Sequence, residues 1–157
     1  MQAKGRELSA SRLNVLVKLI DGAASLPKRA REFDAGFDLS TREQVSLTPG
    51  SRAAAATGVS LQLPESSFAL VMPRSGLAID KGITLLNAPG LIDAGYRGEI
   101  KVILVNHSDS TVEFQPGDRI AQLLVLSMAK VNFVEVDQLA SSERGEGGFG
   151  HSGTHPL

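Results

Sequence analysis

The chain has 157 residues, a formal net charge of -1, no cysteine and only 4% aromatic residues. This length suits one domain with its own core, and the small net charge gives no overall field that would attract nucleic acid or an anionic membrane. The lack of cysteine excludes disulfides and thiolate metal sites, and no apolar run approaches the ~20 residues that cross a bilayer. We therefore expect a β-domain with a core of small aliphatic side chains and neither nucleic acid nor membrane as a partner.

The N-terminal residues bear on the location of the protein. Residues 1–8 are MQAKGREL, a charged stretch without the apolar centre of an export signal. We expect a cytoplasmic protein. Residues 1–11 are polar throughout and are expected to be loosely ordered.

Short alternating or apolar runs, separated by turn residues, predict a series of β-strands. One of them, residues 51–57, contains four alanines that favour a helix by propensity, but it is short and lies between turn residues. The predicted strands cover residues 12–20, 44–48, 51–57, 59–63, 68–72, 83–86, 99–106, 111–114, 119–128 and 131–136. A single helix is expected over 75–81, with Ser75 as its cap and Gly82 at its end. The pattern predicts an all-β fold with at most one short helix.

The composition changes near residue 140. We expect residues 1–139 to form the β-domain and residues 140–157 to form a glycine-rich arm. By composition the arm resembles a disordered tail. However, Arg144 and Phe149 stand alone among glycines and hydroxyl residues, as in a flap that orders on an anionic ligand.

Residues 87–100, NAPGLIDAGYRGEI, hold one carboxylate, Asp93, and the only tyrosine of the chain, Tyr96. The segment is interpreted as a tight hairpin that precedes a buried strand, and a rigid scaffold of this kind can position functional groups. The alternative is a hairpin in which Asp93 only caps its own turn.

Three further segments carry candidate site residues. Asp38 lies between apolar neighbours, where a carboxylate either pairs with an arginine or faces the hydration shell of a metal. Arg74 and Ser75 precede the predicted helix, as an anion site or as an ordinary cap. Gln122 enters a strongly apolar strand, either as a satisfied core amide or as a site residue.

Together these groups suggest a nucleotide with a phosphate chain as the ligand. Arginines and glycine-rich backbone suit anions, while Tyr96 and Phe149 offer flat surfaces. A hard cation such as Mg²⁺ would bind mostly through the phosphates. The three histidines lack the spacing of zinc ligands, and there is no dinucleotide or phosphate-loop motif.

Five segments occur in the order and spacing of the trimeric dUTP pyrophosphatase (dUTPase) family, which the chain resembles. They are AGFDLS (35–40), PRSGLA (73–78), residues 87–100, PGDRIAQ (116–122) and RGEGGFG (144–150). The resemblance implies a distorted jelly-roll (β-clip) barrel that forms a homotrimer with active sites shared between subunits. It also implies Mg²⁺-dependent hydrolysis of dUTP to dUMP and pyrophosphate, which limits uracil incorporation into DNA and supplies dUMP for dTMP synthesis.

The resemblance assigns the reacting centre to residues 87–100. Asp93 matches the carboxylate that activates the attacking water. Tyr96 matches the ring against the deoxyribose, which leaves no room for a 2′-hydroxyl. Asn87, with the backbone around Gly90 and Ile92, matches the groups that recognise uracil and exclude a 5-methyl group.

The other segments supply phosphate and metal contacts by the same resemblance. Asp38 matches the carboxylate that holds metal-bound water, and Gln122 matches an amide that contacts phosphate and, through water, the metal. The remaining substrate-binding positions are Arg74, Ser75 and Gly76 and, in the C-terminal arm, Arg144, Phe149, Gly150 and Ser152. One departure is His151, where the family usually has a small hydroxyl residue; we expect its side chain to face solvent.

Two alternatives remain beside this assignment. A dCTP deaminase-like enzyme of the same fold would be expected to lack the Arg/Phe arm and the DAGYRG pattern, and both are present. A non-catalytic nucleotide-sensing module would be expected to have lost Asp93 or Arg144, and both are retained.

Overall fold

The computed structural model describes residues 13–142 and 145–146. Eleven strands and one helix follow each other along this part of the chain. The strands are β1 (Leu16–Leu19), β2 (Phe37–Ser40), β3 (Val45–Leu47), β4 (Arg52–Ala56), β5 (Val59–Gln62), β6 (Ser67–Met72), β7 (Ile83–Leu85), β8 (Gly90–Ile92), β9 (Lys101–Asn106), β10 (Val112–Phe114) and β11 (Arg119–Ser127). The helix is α1 (Ser75–Lys81). The predicted all-β class with one short helix is confirmed.

The strands form four small sheets with antiparallel pairing throughout the described chain. Their orders are β2-β11-β6-β8, β4-β9-β7, β1-β5 and β10-β3. The sheets enclose one apolar cluster that is almost wholly aliphatic, and among the described residues Phe114 is its only fully buried aromatic side chain. Small sheets that wrap a common core in this way form a jelly-roll-like fold.

The alanine-rich segment is a strand, as predicted. β4 pairs along its length with β9, so that Ala55 lies opposite Val102 and is fully buried. Alanine favours a helix only by a few tenths of a kcal/mol per residue, so a full ladder of pairing and burial of the strand outweighs it.

The helix has the predicted bounds, but its predicted cap is wrong. Arg74 occupies the N-cap position in an extended conformation, and no side chain caps the first turn. At the other end Gly82 is left-handed with φ of 63° and donates its N–H to the Ala78 carbonyl. Glycine adopts this conformation without steric cost, which explains why the helix ends there.

Two strand predictions at the ends of the domain need correction. β1 covers only Leu16–Leu19 within the predicted 12–20. Residues 131–136 form no strand, although they alternate well; Val131 and Phe133 are 69% and 94% exposed. A strand requires a partner, and no described strand pairs with this segment.

Residues 87–100 are not a tight hairpin. β7 and β9 do pair, with Leu85 opposite Leu104, but the connection between them leaves their sheet. Its first part forms β8, which pairs with β6 of the four-stranded sheet. The connection therefore links two sheets, and this link fixes where Asp93 and Tyr96 lie.

Among the described residues, no helix has the length and apolar character needed to cross a membrane.

Candidate active site

One polar pocket of about 340 Å³ gathers the residues predicted to contact phosphate and metal. It lies at the β2 edge of the four-stranded sheet, beside the start of α1. Its lining includes Asp34, Gly36, Asp38, Arg74, Ser75, Gly76, Arg119 and Gln122. We call this the arginine pocket. Residues from three distant sequence segments meet here.

Asp38 is paired with two arginines in this pocket. Its Oδ1 lies 3.1 Å from Arg74 Nε and its Oδ2 lies 2.9 Å from Arg119 Nη1. The pairing with arginine that the sequence analysis considered is thus observed. Arg74 also donates from Nη1 to the Arg119 carbonyl, yet each guanidinium has five N–H groups, so donors remain for an anion.

Arg119 is a site residue that the sequence analysis missed. It lies in the 116–122 segment that the resemblance singled out, but only Gln122 was assigned a role there. Arg119 is brought to Asp38 because β11 pairs with β2, with a register shift between Arg119 and Ala121. A bulge of this kind redirects side chains and is common beside active sites.

Gln122 combines both predicted alternatives. Its Nε2 donates to the Pro73 carbonyl at 2.9 Å, so the amide is satisfied, and the side chain also lines the arginine pocket. Its Oε1 packs against Gly36, where an added Cβ would lie only 2.5 Å away. The amide is thus held between two chain segments.

A second pocket, of about 730 Å³, holds Asp93 and Tyr96. Leu91, Ile92, Glu99, Ile100 and Lys101 line it, together with Ala54 and Ile103 of the paired strands β4 and β9. We call this the tyrosine pocket. Asn87 lies nearby in the chain, next to Gly90, whose Cβ would meet the Asn87 amide nitrogen at 3.4 Å.

A turn fixes Asp93 and Tyr96 relative to each other. The Tyr96 N–H donates to the Asp93 carbonyl at 3.0 Å, and the Tyr96 hydroxyl donates to the Glu99 carbonyl at 2.9 Å. The Arg97 guanidinium donates to the carbonyls of Ala94 and Tyr96. Within the described residues the Asp93 carboxylate accepts no hydrogen bond, so it does not cap its own turn and stays available to a ligand.

The two pockets lie at opposite edges of one sheet. In the register of the sheet, Asp38 on β2 lies opposite Gln122 on β11, and Gln122 lies opposite Met72 on β6. At the other edge, Ile92 on β8 lies opposite Ala69, three residues before Met72 on β6. Strand spacing and rise then separate Asp38 from Asp93 by on the order of 20 Å. The pockets share no lining residue, so a single chain does not unite the predicted groups.

Glu99 anchors the tyrosine pocket to the rest of the domain. Its Oε1 accepts from Arg42 Nε at 3.0 Å and from the Gly58 N–H at 2.8 Å, while Arg42 also pairs with Asp21. Burial favours a raised pKa for Glu99, but the hydrogen bonds from Gly58 and Arg42 outweigh it and lower the pKa. The hydrogen bond to Glu99 likewise raises the pKa of Arg42.

Four predicted site residues lie outside the described residues. They are Arg144, Phe149, Gly150 and Ser152. Their assignment to the site stays a prediction.

The side chains of the described residues suit Mg²⁺ only when the ion binds together with a phosphate-bearing ligand. Among the described residues there is no group of three or more histidine, aspartate or glutamate side chains that could hold a metal ion. Asp38 is one carboxylate at 19% exposure, beside the amide of Gln122. This set suits a cation that binds through phosphates and keeps most of its water.

The structure is thus an antiparallel β-protein with one pocket lined by two arginines and an amide and a second pocket that holds Asp93 and Tyr96. Residues 23–153 match the dUTPase family. The chain belongs to the dUTPase family.

Curated relatives and solved structures agree with this membership. The chain is 47% identical over 137 residues to the deoxyuridine 5'-triphosphate nucleotidohydrolase of Clostridium tetani, covering 87% of this chain and 94% of the relative. It is 53% identical over 144 residues to the enzyme of the same name from Streptomyces avermitilis, covering 91% of this chain and 82% of the relative.

Solved phage structures share the fold. The Staphylococcus bacteriophage 80alpha dUTPase with dUPNHPP superposes with a TM-score of 0.84 at 30% identity, covering 90% of this chain and 99% of the phage chain. A mutant dUTPase from phage phi11 of S. aureus, described as coordinating a structural Mg(II) ion, gives 0.76 at 25% identity, covering 82% and 99%.

We expect Glu99→Gln to change how stability depends on pH. Because the pKa of Glu99 is lower in the folded protein, its contribution is complete above the ordinary value of 4.5 and is lost as the pH falls through the folded value. The variant should therefore be less stable than the wild type at neutral pH and should lose less stability on acidification. Urea unfolding over this pH range measures the difference.

Glu113→Gln, which changes an exposed carboxylate on β10, is the matched control. It should follow the wild-type pH dependence. Equal acid-induced losses in wild type and Glu99→Gln would contradict the proposed contribution.

Proposed function

We propose that the protein hydrolyses dUTP to dUMP and pyrophosphate. The observation that carries this proposal is the Asp93 carboxylate, which no described residue engages and which lines a 730 Å³ pocket in the same turn as Tyr96. Family membership and the shared name of the curated relatives support the substrate.

Asp93 is proposed to act as the general base. It accepts a proton from a water molecule as that water attacks the α-phosphorus of dUTP. The bond from the α-phosphorus to the bridging oxygen breaks, and pyrophosphate leaves with the electron pair. General-base catalysis of this kind contributes about 10²–10⁴-fold in rate.

The arginine pocket is proposed to hold the phosphate chain. Arg74 and Arg119 point donors into it, and Ser75 and Gly76 add the hydroxyl and backbone of the first turn of α1. These groups would stabilise the charge that develops on the departing pyrophosphate. When bound, Mg²⁺ would add Lewis-acid stabilisation through the phosphates, with Asp38 and Gln122 as its outer partners.

Uracil recognition is assigned to β8 and Asn87. β8 is an edge strand that pairs only with β6 among the described strands, so the outer backbone groups of Gly90–Ile92 are free to hydrogen-bond a base. The Tyr96 ring is proposed to lie against the deoxyribose and to exclude a 2′-hydroxyl by contact.

Pyrophosphate release from dUTP, dTTP, dCTP and UTP, each with and without Mg²⁺, tests the proposal. We expect Mg²⁺-dependent release from dUTP alone. Asp93→Asn should lower kcat by about 10²-fold or more while dUTP binding survives, because the amide cannot accept the proton. Asp109→Asn, at an exposed position of the 107–111 loop, is the control and should keep the wild-type rate.

The same assay separates the alternatives. Release of ammonia from dCTP would favour the deaminase-like enzyme. Nucleotide binding without any pyrophosphate release would favour a sensing module. Full activity of Asp93→Asn would contradict the role of Asp93.

A homotrimer with shared active sites is proposed as the working form. The separation of on the order of 20 Å between Asp38 and Asp93 supports sharing, because it places the two carboxylates in separate pockets of one chain. Exposed apolar side chains support association: Met128, Val131, Phe133, Val134, Val136 and Leu139 follow β11 and are 51–94% exposed. A run of this kind is rarely left in water by a monomer.

Mixing two inactive variants tests the sharing. Asp93→Asn and Arg74→Ala should each be inactive alone, and light scattering should give three times the 16.6-kDa chain mass. If each site takes Asp93 from one subunit and Arg74 from another, random trimers of a 1:1 mixture, formed by co-refolding, should regain about a quarter of the wild-type sites.

A mixture with no regained activity, in trimers proven to be mixed, would contradict sharing. A monomer mass at micromolar concentration would contradict the trimer. Refolded wild type is the reference for the yield of active protein.

The C-terminal arm is proposed to close over the bound nucleotide. Arg144 would contact the terminal phosphate and Phe149 the base, with Gly150 and Ser152 beside the phosphates. Closure would exclude water and strengthen the electrostatics of the site. The division into a β-domain of residues 1–139 and an arm of residues 140–157 belongs to this proposal.

Removing residues 141–157 should lower kcat/KM for dUTP strongly while the oligomer and its unfolding midpoint are retained. Steady-state kinetics and light scattering measure the two effects. Unchanged kinetics would contradict the proposed closure of the C-terminal arm.

The proposed reaction acts on a small nucleotide and supplies dUMP for dTMP synthesis. The expected cytoplasmic location stays a prediction.

A further inference from the structure

The Tyr96 ring lies directly against the backbone of Gly98. A Cβ added at Gly98 would overlap the Tyr96 hydroxyl oxygen and would lie 2.6 Å from Cζ and 3.0 Å from Cε2. These distances are well inside van der Waals contact, so only glycine allows the ring this position. Tyr96 is 44% exposed, so its ring could accommodate an added methyl group only by turning away from this position.

The hydroxyl end of the ring is held as well. It donates to the Glu99 carbonyl at 2.9 Å, and the Glu99 side chain is fixed by Arg42 and by the Gly58 N–H. Gly98, which has no Cβ, therefore leaves room for the hydroxyl end of the ring, and the carbonyl of the next residue accepts the hydrogen bond of that hydroxyl. A displaced ring would lose both contacts.

We propose that Gly98 is a positioning residue that sets the Tyr96 ring and thereby the discrimination between deoxyribose and ribose. This inference rests on the proposed function. Exclusion of ribonucleotides by steric contact requires the Tyr96 ring to keep one orientation, because a ring that could tilt would make room for a 2′-hydroxyl. Gly98 supplies that fixed position without touching the nucleotide.

Gly95 provides a matched control in the same turn. A Cβ there would meet no atom within 4 Å, and its φ is not in the left-handed region. Gly95→Ala and Gly98→Ala thus add the same methyl group to neighbouring glycines, and only the second methyl meets the ring.

The intrinsic fluorescence of the protein can report on the Tyr96 ring. Tyr96 is the only tyrosine and there is no tryptophan, so tyrosine fluorescence reports on this ring alone. Tyr96→Phe should abolish the signal and serves as the blank. Acrylamide quenching and anisotropy, measured without nucleotide, then test the contact with Gly98 independently of any activity.

We expect Gly98→Ala to change the quenching constant and to lower the ratio of kcat/KM for dUTP over UTP by about tenfold or more. Gly95→Ala should keep the wild-type quenching constant. Tyr96→Phe, which keeps the ring but loses the hydrogen bond to Glu99, should lower the ratio by a smaller factor.

Three results would overturn the inference. They are wild-type quenching in Gly98→Ala, an unchanged dUTP/UTP ratio, and an equal loss of kcat/KM for both nucleotides, which would indicate a structural role only. If the wild type itself leaves dUTP intact, the proposed function fails, while the quenching comparison still decides whether Gly98 positions the ring.

Discussion

The pairing of β8 with β6 is the constraint on which the site depends. Without it, residues 86–100 would close a simple hairpin between β7 and β9. With it, the connection crosses to the four-stranded sheet and carries Asp93 and Tyr96 to the edge opposite β2. Each chain then holds the arginine pocket and the tyrosine pocket at opposite edges of this sheet.

Each pocket is held by contacts that need no ligand. In the arginine pocket Asp38 neutralises part of the charge of Arg74 and Arg119, which reduces the repulsion between two guanidinium groups held close together. In the tyrosine pocket the ring, the Glu99 carbonyl and the Gly98 backbone fix one another. Preorganisation of this kind reduces the cost of ordering when a ligand binds.

Many local features could be predicted from the sequence. Alternation of apolar residues located nearly all the strands, and Gly82 marked the end of α1 because a left-handed residue favours glycine. The resemblance selected the residues that the arginine pocket then brings together. The Ser75 cap was wrong because the chain enters the helix through an extended Arg74. Arg119 was missed because its role depends on a bulge in β11, which leaves no local pattern.

The sequence by itself determined the strand-rich class, the single helix and the family, because these depend on local periodicity and on the order of short motifs along the chain. Only the tertiary structure decided that Asp38 pairs with two arginines, that residues 131–136 remain outside any described strand, and that the end of the Tyr96 ring lies against Gly98. Each of these depends on which segments meet in space. That choice is made by long-range pairing, which no local stretch of sequence encodes.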